Sequence, residues 1–290
     1  MKIFEPHAHM FSRTTDDYQA MALAGVRGIL EPAFWLGQPR TSVHSFKDYY
    51  DTLIGWERFR AGQFGIRHYC TMALNPKEAN DPRLREEVIA LVRDYVDREG
   101  VLGVGEIGYD DMTQAEEEAF LAQLEIAKEK TLPVLIHTPH RDKKQGTIRT
   151  LDMVRESGID PELVLVDHNN EETTPFVKDT DCWLGYSIYP NTKMDPERML
   201  EVFRRYGTDK MLINSACDWG ISDPLSVPKT VMLMRKAAMD EEEIEKVVWN
   251  NPIDFFAQSG RISYADFGEV PGAEKAALFE GNSVLRGPQK

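Results

Sequence analysis

Six acidic and imidazole side chains fall at one repeated kind of place in the sequence. His7 and His9 close the first apolar run. Glu106 ends VLGVGE, His137 ends LPVLIH, His168 follows LVLVD, and Asp218 follows MLINSAC. In extended backbone, residues i and i+2 point to the same face, so His7 and His9 can serve one cation together. The steps from Glu106 to His137 and from His137 to His168 are both 31 residues. A repeated strand–helix unit of that length would deliver side chains to the same radial position. Four imidazoles and two carboxylates exceed the three protein ligands of a single catalytic zinc. They suit two divalent cations sharing a carboxylate, which make a nucleophile from water near neutral pH and polarise a substrate oxygen. Such a donor set takes Zn or Mn most readily, and Fe, Ni or Co as well.

The elements that must hold these residues are legible as apolar runs. Eight candidate strands lie at 2–6, 26–31, 66–73, 101–106, 133–137, 163–167, 182–187 and 210–218. Amphipathic stretches separate them. Residues 81–99 carry Leu84, Val88, Leu91, Val92 and Tyr95 at helical spacing. Residues 113–130 begin with Thr113 as a candidate N-cap and Glu116 three residues on, the pattern of a capping box. Further helices are expected from Asp195-Pro196 and over 240–248. This alternation predicts parallel strands with right-handed crossovers, and eight repeats predict a (β/α)8 TIM barrel of the α/β class. A doubly wound sheet is disfavoured because no Gly-rich loop follows the first strand. In a barrel, all six chemistry-bearing residues would stand at the carboxyl ends of strands, where active sites are built. The aromatic-rich segment 35–63 reads as an elaborated helix or a lid. The barrel domain is expected over 1–260, with an extension over 261–290.

Composition limits the partners. With 34 Lys and Arg against 48 Asp and Glu, the net charge is −14. Extended nucleic-acid binding needs a basic footprint and is not expected. A small, anionic substrate remains compatible, since bound cations reverse the local field. Three cysteines make no disulfide framework. No apolar run reaches the roughly 20 residues of a membrane span, and MKIFEPHAHM has no signal-peptide core. A cytoplasmic location is therefore expected.

The stretches EPHAHM, VGEIGYD, LPVLIHTPH, VDHNNEET and WNNPIDFF resemble the TatD-like hydrolases of the amidohydrolase superfamily, over residues 1–258. DHNNEET and CDWGISDPL set the chain toward a less common branch and resemble the EboB-like one. The resemblance implies a metal-dependent barrel hydrolase. His7 and His9 would bind one metal, His137 and His168 the other, and Glu106 would bridge. Asp218 would ligate or act as general base. The chain departs from the family where Glu5-Pro6 replaces the first-strand Asp. It departs again where Asn214-Ser215-Ala216 occupies the usual strand-eight Glu-Thr-Asp, leaving Asp218 two residues later and Asp223 in reserve.

Substrate contacts are expected from His140 and Arg141 after the fifth strand, from Glu31 at the end of the second, and from Trp219. The favoured reaction is hydrolysis of a small phosphoester or related ester by a metal-activated hydroxide, with Asp218 and Glu106 as the catalytic acids. The alternatives are a lactonase or cyclic amidohydrolase on the same barrel, and a non-catalytic metal- or metabolite-binding barrel.

Overall fold

Eight short apolar segments pair in strict sequence order in a computed structural model, which describes residues 1–268. They are β1 (Ile3–Glu5), β2 (Val26–Pro32), β3 (Arg67–Met72), β4 (Val101–Gly108), β5 (Val134–His137), β6 (Val164–Val166), β7 (Trp183–Ser187) and β8 (Met211–Asn214). Every pairing is parallel. Nearly every strand residue is buried, as expected when a helical layer covers one face and the barrel interior the other. The eight strands and their outer helices form the expected (β/α)8 TIM barrel. It closes at its mouth, where the amide of Ala216 donates to the His7 carbonyl at 2.9 Å and the amide of His9 donates to the Cys217 carbonyl at 2.8 Å. The segment carrying the two first-strand histidines is thereby stitched to the one that follows β8.

Local chemistry explains the helix starts. Thr113 accepts from the Glu116 amide at 3.2 Å and caps the helix Gln114–Lys130. The Glu116 carboxylate does not complete a capping box. It reaches back to accept from the amides of Asp110, Asp111 and Met112, fixing the loop after β4. Asp81 and Asp195 cap the helices Pro82–Tyr95 and Pro196–Tyr206, each with proline in the first turn.

Residues 43–62 form an elaborated helix, Val43–Asp51 running through a π-helical turn into Arg58–Gly62. Phe46, Tyr49 and Tyr50 are buried in the core, so this is a packed element rather than a lid. The helix expected over 240–248 is longer than expected and runs on, through another π-turn, to Ala257. Past Gly260, Phe267 packs edge-on against Phe4 and Trp249 with ring centroids 5.9 and 5.0 Å away. The rest of the expected extension, 269–290, lies outside the described residues. Among the described residues no helix is long and apolar enough to cross a membrane.

Candidate metal centre

The carboxyl ends of β1, β4, β5 and β6 bring five of the six expected side chains together. Glu106 lies in β4 and is 1% exposed. Its Oε1 is 3.1 Å from His137 Nδ1, 3.2 Å from His168 Nε2 and 3.6 Å from His7 Nε2. His7 Nε2 and His9 Nε2 are 3.0 Å apart, and His168 Nε2 is 3.1 Å from His137 Nδ1. The donor atoms of His7, Glu106 and His168 all lie within 4.8 Å of one another. A tetrahedral shell with bonds of about 2.0–2.1 Å places donor atoms roughly 3.4 Å apart, so this spacing fits cation binding. Opposed imidazole lone pairs repel unless a proton or a cation lies between them. His137 Nε2 is buried without a hydrogen-bond partner, another polar atom that a cation would satisfy.

Two backbone features aim these groups. His168 adopts φ +62°, turning out of β6 through the left-handed region that non-glycine residues rarely enter. Gly185 in β7 supplies room beneath it, because a Cβ there would stand 2.3 Å from Asp167 Oδ1.

Asp167 is the functional residue that sequence reasoning missed. It is fully buried, and its Oδ2 accepts from His7 Nδ1 at 2.5 Å. Its Oδ1 accepts from the His168 amide at 2.7 Å, and Asn214 Nδ2 donates to both oxygens at 3.0 and 3.1 Å. A proton held on His7 Nδ1 leaves the Nε2 lone pair facing the centre, which is the tautomer a cation requires. Ser187 Oγ lies 2.6 Å from His168 Nδ1 and orients that ring, as donor or acceptor. The available signal was a carboxylate directly before a histidine that follows a strand, in a chain with alanine just past its eighth strand.

The electrostatics follow from burial and charge together. Burial works against ionisation of Glu106, but the surrounding imidazoles of His7 and His137 outweigh it and hold the carboxyl well below its usual range. Burial opposes charge on His7 as well, yet Glu106 and Asp167 raise its pKa overall. Burial dominates at His9 and His168 and keeps both neutral, as ligands must be. Beneath the centre, burial pushes Glu5 up to about 8 while its Oε1 accepts from the amides of Ser215 and His7.

Asp218 is not brought into this cluster. β8 ends at Asn214, and Ala216 turns at φ +43°, which breaks the two-residue alternation that would have aimed 218 inward. Its carboxylate accepts instead from Tyr189 Oη at 3.0 Å and from the Gly220 amide at 2.8 Å. Asp223 is also outside, accepting from the Leu225 amide and pairing with Lys229.

The expected substrate contacts divide. Glu31 does not line the mouth: it is fully buried, accepting from the Phe11 amide at 2.7 Å and bonded to His68 Nε2 at 2.8 Å. Its position at the end of β2 points it into the wall between β2 and β3. Arg141 turns to solvent, 90% exposed, with its closest acid Asp111 at 3.8 Å. His140 stays at the rim, its ring 5.7 Å from that of His137 and 6.2 Å from that of His168. Trp219 stacks on Phe34 at 6.0 Å, and Phe34 stacks on the His9 ring at 3.8 Å. These rings form an apolar wall on one side of the mouth.

A model of the TatD-related DNase family matches residues 8–257. The chain belongs to this family. It is 28% identical, over 257 residues, to an uncharacterised metal-dependent hydrolase of Methanocaldococcus jannaschii, covering 88% of this chain and 99% of that protein. The fold is similar to the crystal structure of a TatD-like protein of Archaeoglobus fulgidus, with a TM-score of 0.74 at 22% identity over 87% of this chain and 99% of the other. It is also similar to the phosphotriesterase homology protein of Escherichia coli, solved with phosphate in its active site. There the TM-score is 0.64 at 16% identity, over 83% of this chain and 88% of that one. The chain is a metal-dependent hydrolase of the TatD family, and its His/Glu cluster is the candidate divalent-metal site.

Proposed function

We propose that the protein hydrolyses a small phosphoester or related ester, using two divalent cations, zinc or manganese, held by His7, His9, His137, His168 and Glu106. The observation that carries this reading is the convergence of four buried imidazoles around one carboxylate at the barrel mouth. When bound, such cations lower the pKa of a water toward about 7 and polarise the ester oxygen. The protein's share is placement. Asp167 holds the tautomer of His7, Ser187 orients the His168 ring, and Phe34 holds the plane of the His9 ring. Asn75 Nδ2 donates to Glu106 Oε2 at 3.3 Å and keeps Oε1 toward the histidines. The stacked Trp219 and Phe34 rings give one side of the mouth an apolar face. Phosphoester chemistry is favoured by the phosphate in the active site of the Escherichia coli structure, on the same fold. The thiols of Cys70, Cys182 and Cys217 are free and buried, which supports a reducing cytoplasm as the setting.

The test is metal analysis together with turnover of p-nitrophenyl phosphate, a phosphodiester analogue and a lactone panel. About two metals per chain are expected, as a dinuclear site requires. The content should fall below one in the His137→Ala/His168→Ala double variant, with turnover abolished by chelation. Turnover indifferent to chelation, or no metal retained after loading with zinc or manganese, would overturn the reading. Cleavage confined to lactones would move the substrate class while keeping the centre.

A further inference from the structure

A polar cavity of about 450 Å³ opens beside His168, and its lining includes Lys143, Asn170, Lys193, Asp195 and Arg198. The charges around it are not balanced. Arg198 is already committed, its guanidinium forked onto Glu171 at 2.7 and 2.6 Å. Asp195, a carboxylate in the lining, caps the helix that follows through the Arg198 amide at 2.8 Å. Among the described residues, neither lysine forms an ion pair. Lys143 Nζ donates only to neutral oxygens, Thr138 Oγ1 at 2.9 Å, Pro139 O at 3.2 Å and Thr138 O at 3.4 Å. Lys193 Nζ lies 5.1 Å from the centre of the Tyr189 ring, and among the described residues it has no hydrogen-bond or ion-pair partner. The Asn170 side chain accepts from the amides of Glu172 and Thr173 with its oxygen, and its amide nitrogen has no partner among the described residues.

The placement of Lys193 is built, not incidental. After β7 the chain doubles back through a tight turn. Tyr189 and Met194 are joined by an amide-to-carbonyl bond of 2.9 Å, and the Lys193 amide donates to the Tyr189 carbonyl at 3.0 Å. This turn holds the lysine over the mouth, where burial lowers its pKa and the carboxylates of Glu106, Asp167 and Asp218, none in contact with it, offset that only in part. Once the His/Glu cluster holds cations, the acidic charge beneath Lys193 is spent on them. Burial favours the neutral amine at both lysines, lowering Lys143 to about 7, and an anion in the cavity would offset that cost and hold both as ammonium groups beside the Asn170 amide.

We propose that Lys193 and Lys143, with the Asn170 amide, form an oxyanion subsite for a phosphate group that the substrate carries in addition to the ester bond it loses. The substrate class is then a small phosphorylated ester. The phosphate is anchored next to His168, and its remote binding energy holds the scissile bond over the metal centre. This inference rests on the proposed hydrolase reading, and its test separates the two.

The probe is inorganic phosphate, titrated calorimetrically into the metal-loaded full chain. The Lys193→Met and Lys143→Met variants should each bind it about tenfold more weakly, as expected for losing a hydrogen bond to a charged group. Exposed Lys144, which does not line the cavity, serves as the control, and Lys144→Met should bind as the parent does. Lys193→Arg keeps the charge and should recover much of the loss, and it replaces the Met variant if that one fails to fold by circular dichroism. In kinetics, the kcat/KM of a phosphate-bearing ester relative to a neutral ester should fall about tenfold in Lys193→Met, mostly through KM. Equal phosphate affinity in the parent and both Met variants, with an unchanged substrate ratio, overturns the subsite while leaving the hydrolase intact. Absence of turnover on every ester, with the phosphate difference still present, overturns the hydrolase reading and leaves the anion site.

Discussion

Replacing Asp167 by asparagine separates its role from that of Asp218. Three nitrogen donors make four contacts with the Asp167 carboxylate: His7 Nδ1, the His168 amide and Asn214 Nδ2, which reaches both oxygens. Asparagine has one carbonyl oxygen for them and brings two N–H donors of its own. If its oxygen stays with His7, its amide opposes the His168 amide and Asn214. If it turns the other way, its amide meets His7 Nδ1 and drives the His7 proton onto Nε2, the atom that faces the centre. Either outcome injures the site without changing its shape. Loss of such an orienting partner costs about 10- to 100-fold in metal affinity, or roughly 1.4–2.8 kcal/mol. The assay is a zinc titration against a competing chromophoric chelator, with thermal melts to show that the barrel is kept. Asp218→Asn is the reference, with an expected change under about threefold, because the half-buried Asp218 carboxylate bonds to Tyr189 and Gly220 rather than to the cluster. Parent-like zinc affinity in Asp167→Asn, together with a large loss in Asp218→Asn, would refute the reasoning and return the acidic ligand to the eighth strand.

Two further predictions concern buried acids. Burial lifts the pKa of Glu31 from 4.5 to about 8 and drops that of His68 to about 4. The native state therefore holds the Glu31 proton where the unfolded chain has released it. The resulting stability is complete below about pH 4.5, declines as pH rises, and is gone above about 8, with a slope of at most about 1.4 kcal/mol per pH unit. Glu31→Gln should fold and should remove this group's share of the slope in denaturant melts from pH 5 to 8.5; parallel parent and variant curves would contradict it. Glu116 is 1% exposed and holds three consecutive loop amides and Asn80 Nδ2. Glu116→Ala should cost about 2–4 kcal/mol, a fall in Tm of roughly 5–15 °C, and a cost below about 1 kcal/mol would mean that water replaces the carboxylate readily.

Local patterns determined more of this protein than any single residue could. Apolar runs in alternation with amphipathic helices specify the barrel, because strand and helix periods are properties of the chain itself. The places where those runs end specify His7, His9, Glu106, His137 and His168 as residues of one rim. What tertiary structure alone decided is which carboxylate faces inward. The turn at Ala216, with φ +43°, carries Asp218 away, and the turn at His168, with φ +62°, sets Asp167 beneath the histidines. Left-handed conformations at residues other than glycine leave no mark in composition or spacing; surrounding contacts impose them. Glu31 shows the same division, since its strand end was legible but its contact with His68 on β3 was not. Lys193 does as well: a loop lysine reads as solvated surface until the fold turns it over a cluster of acids, with no ion pair among the described residues.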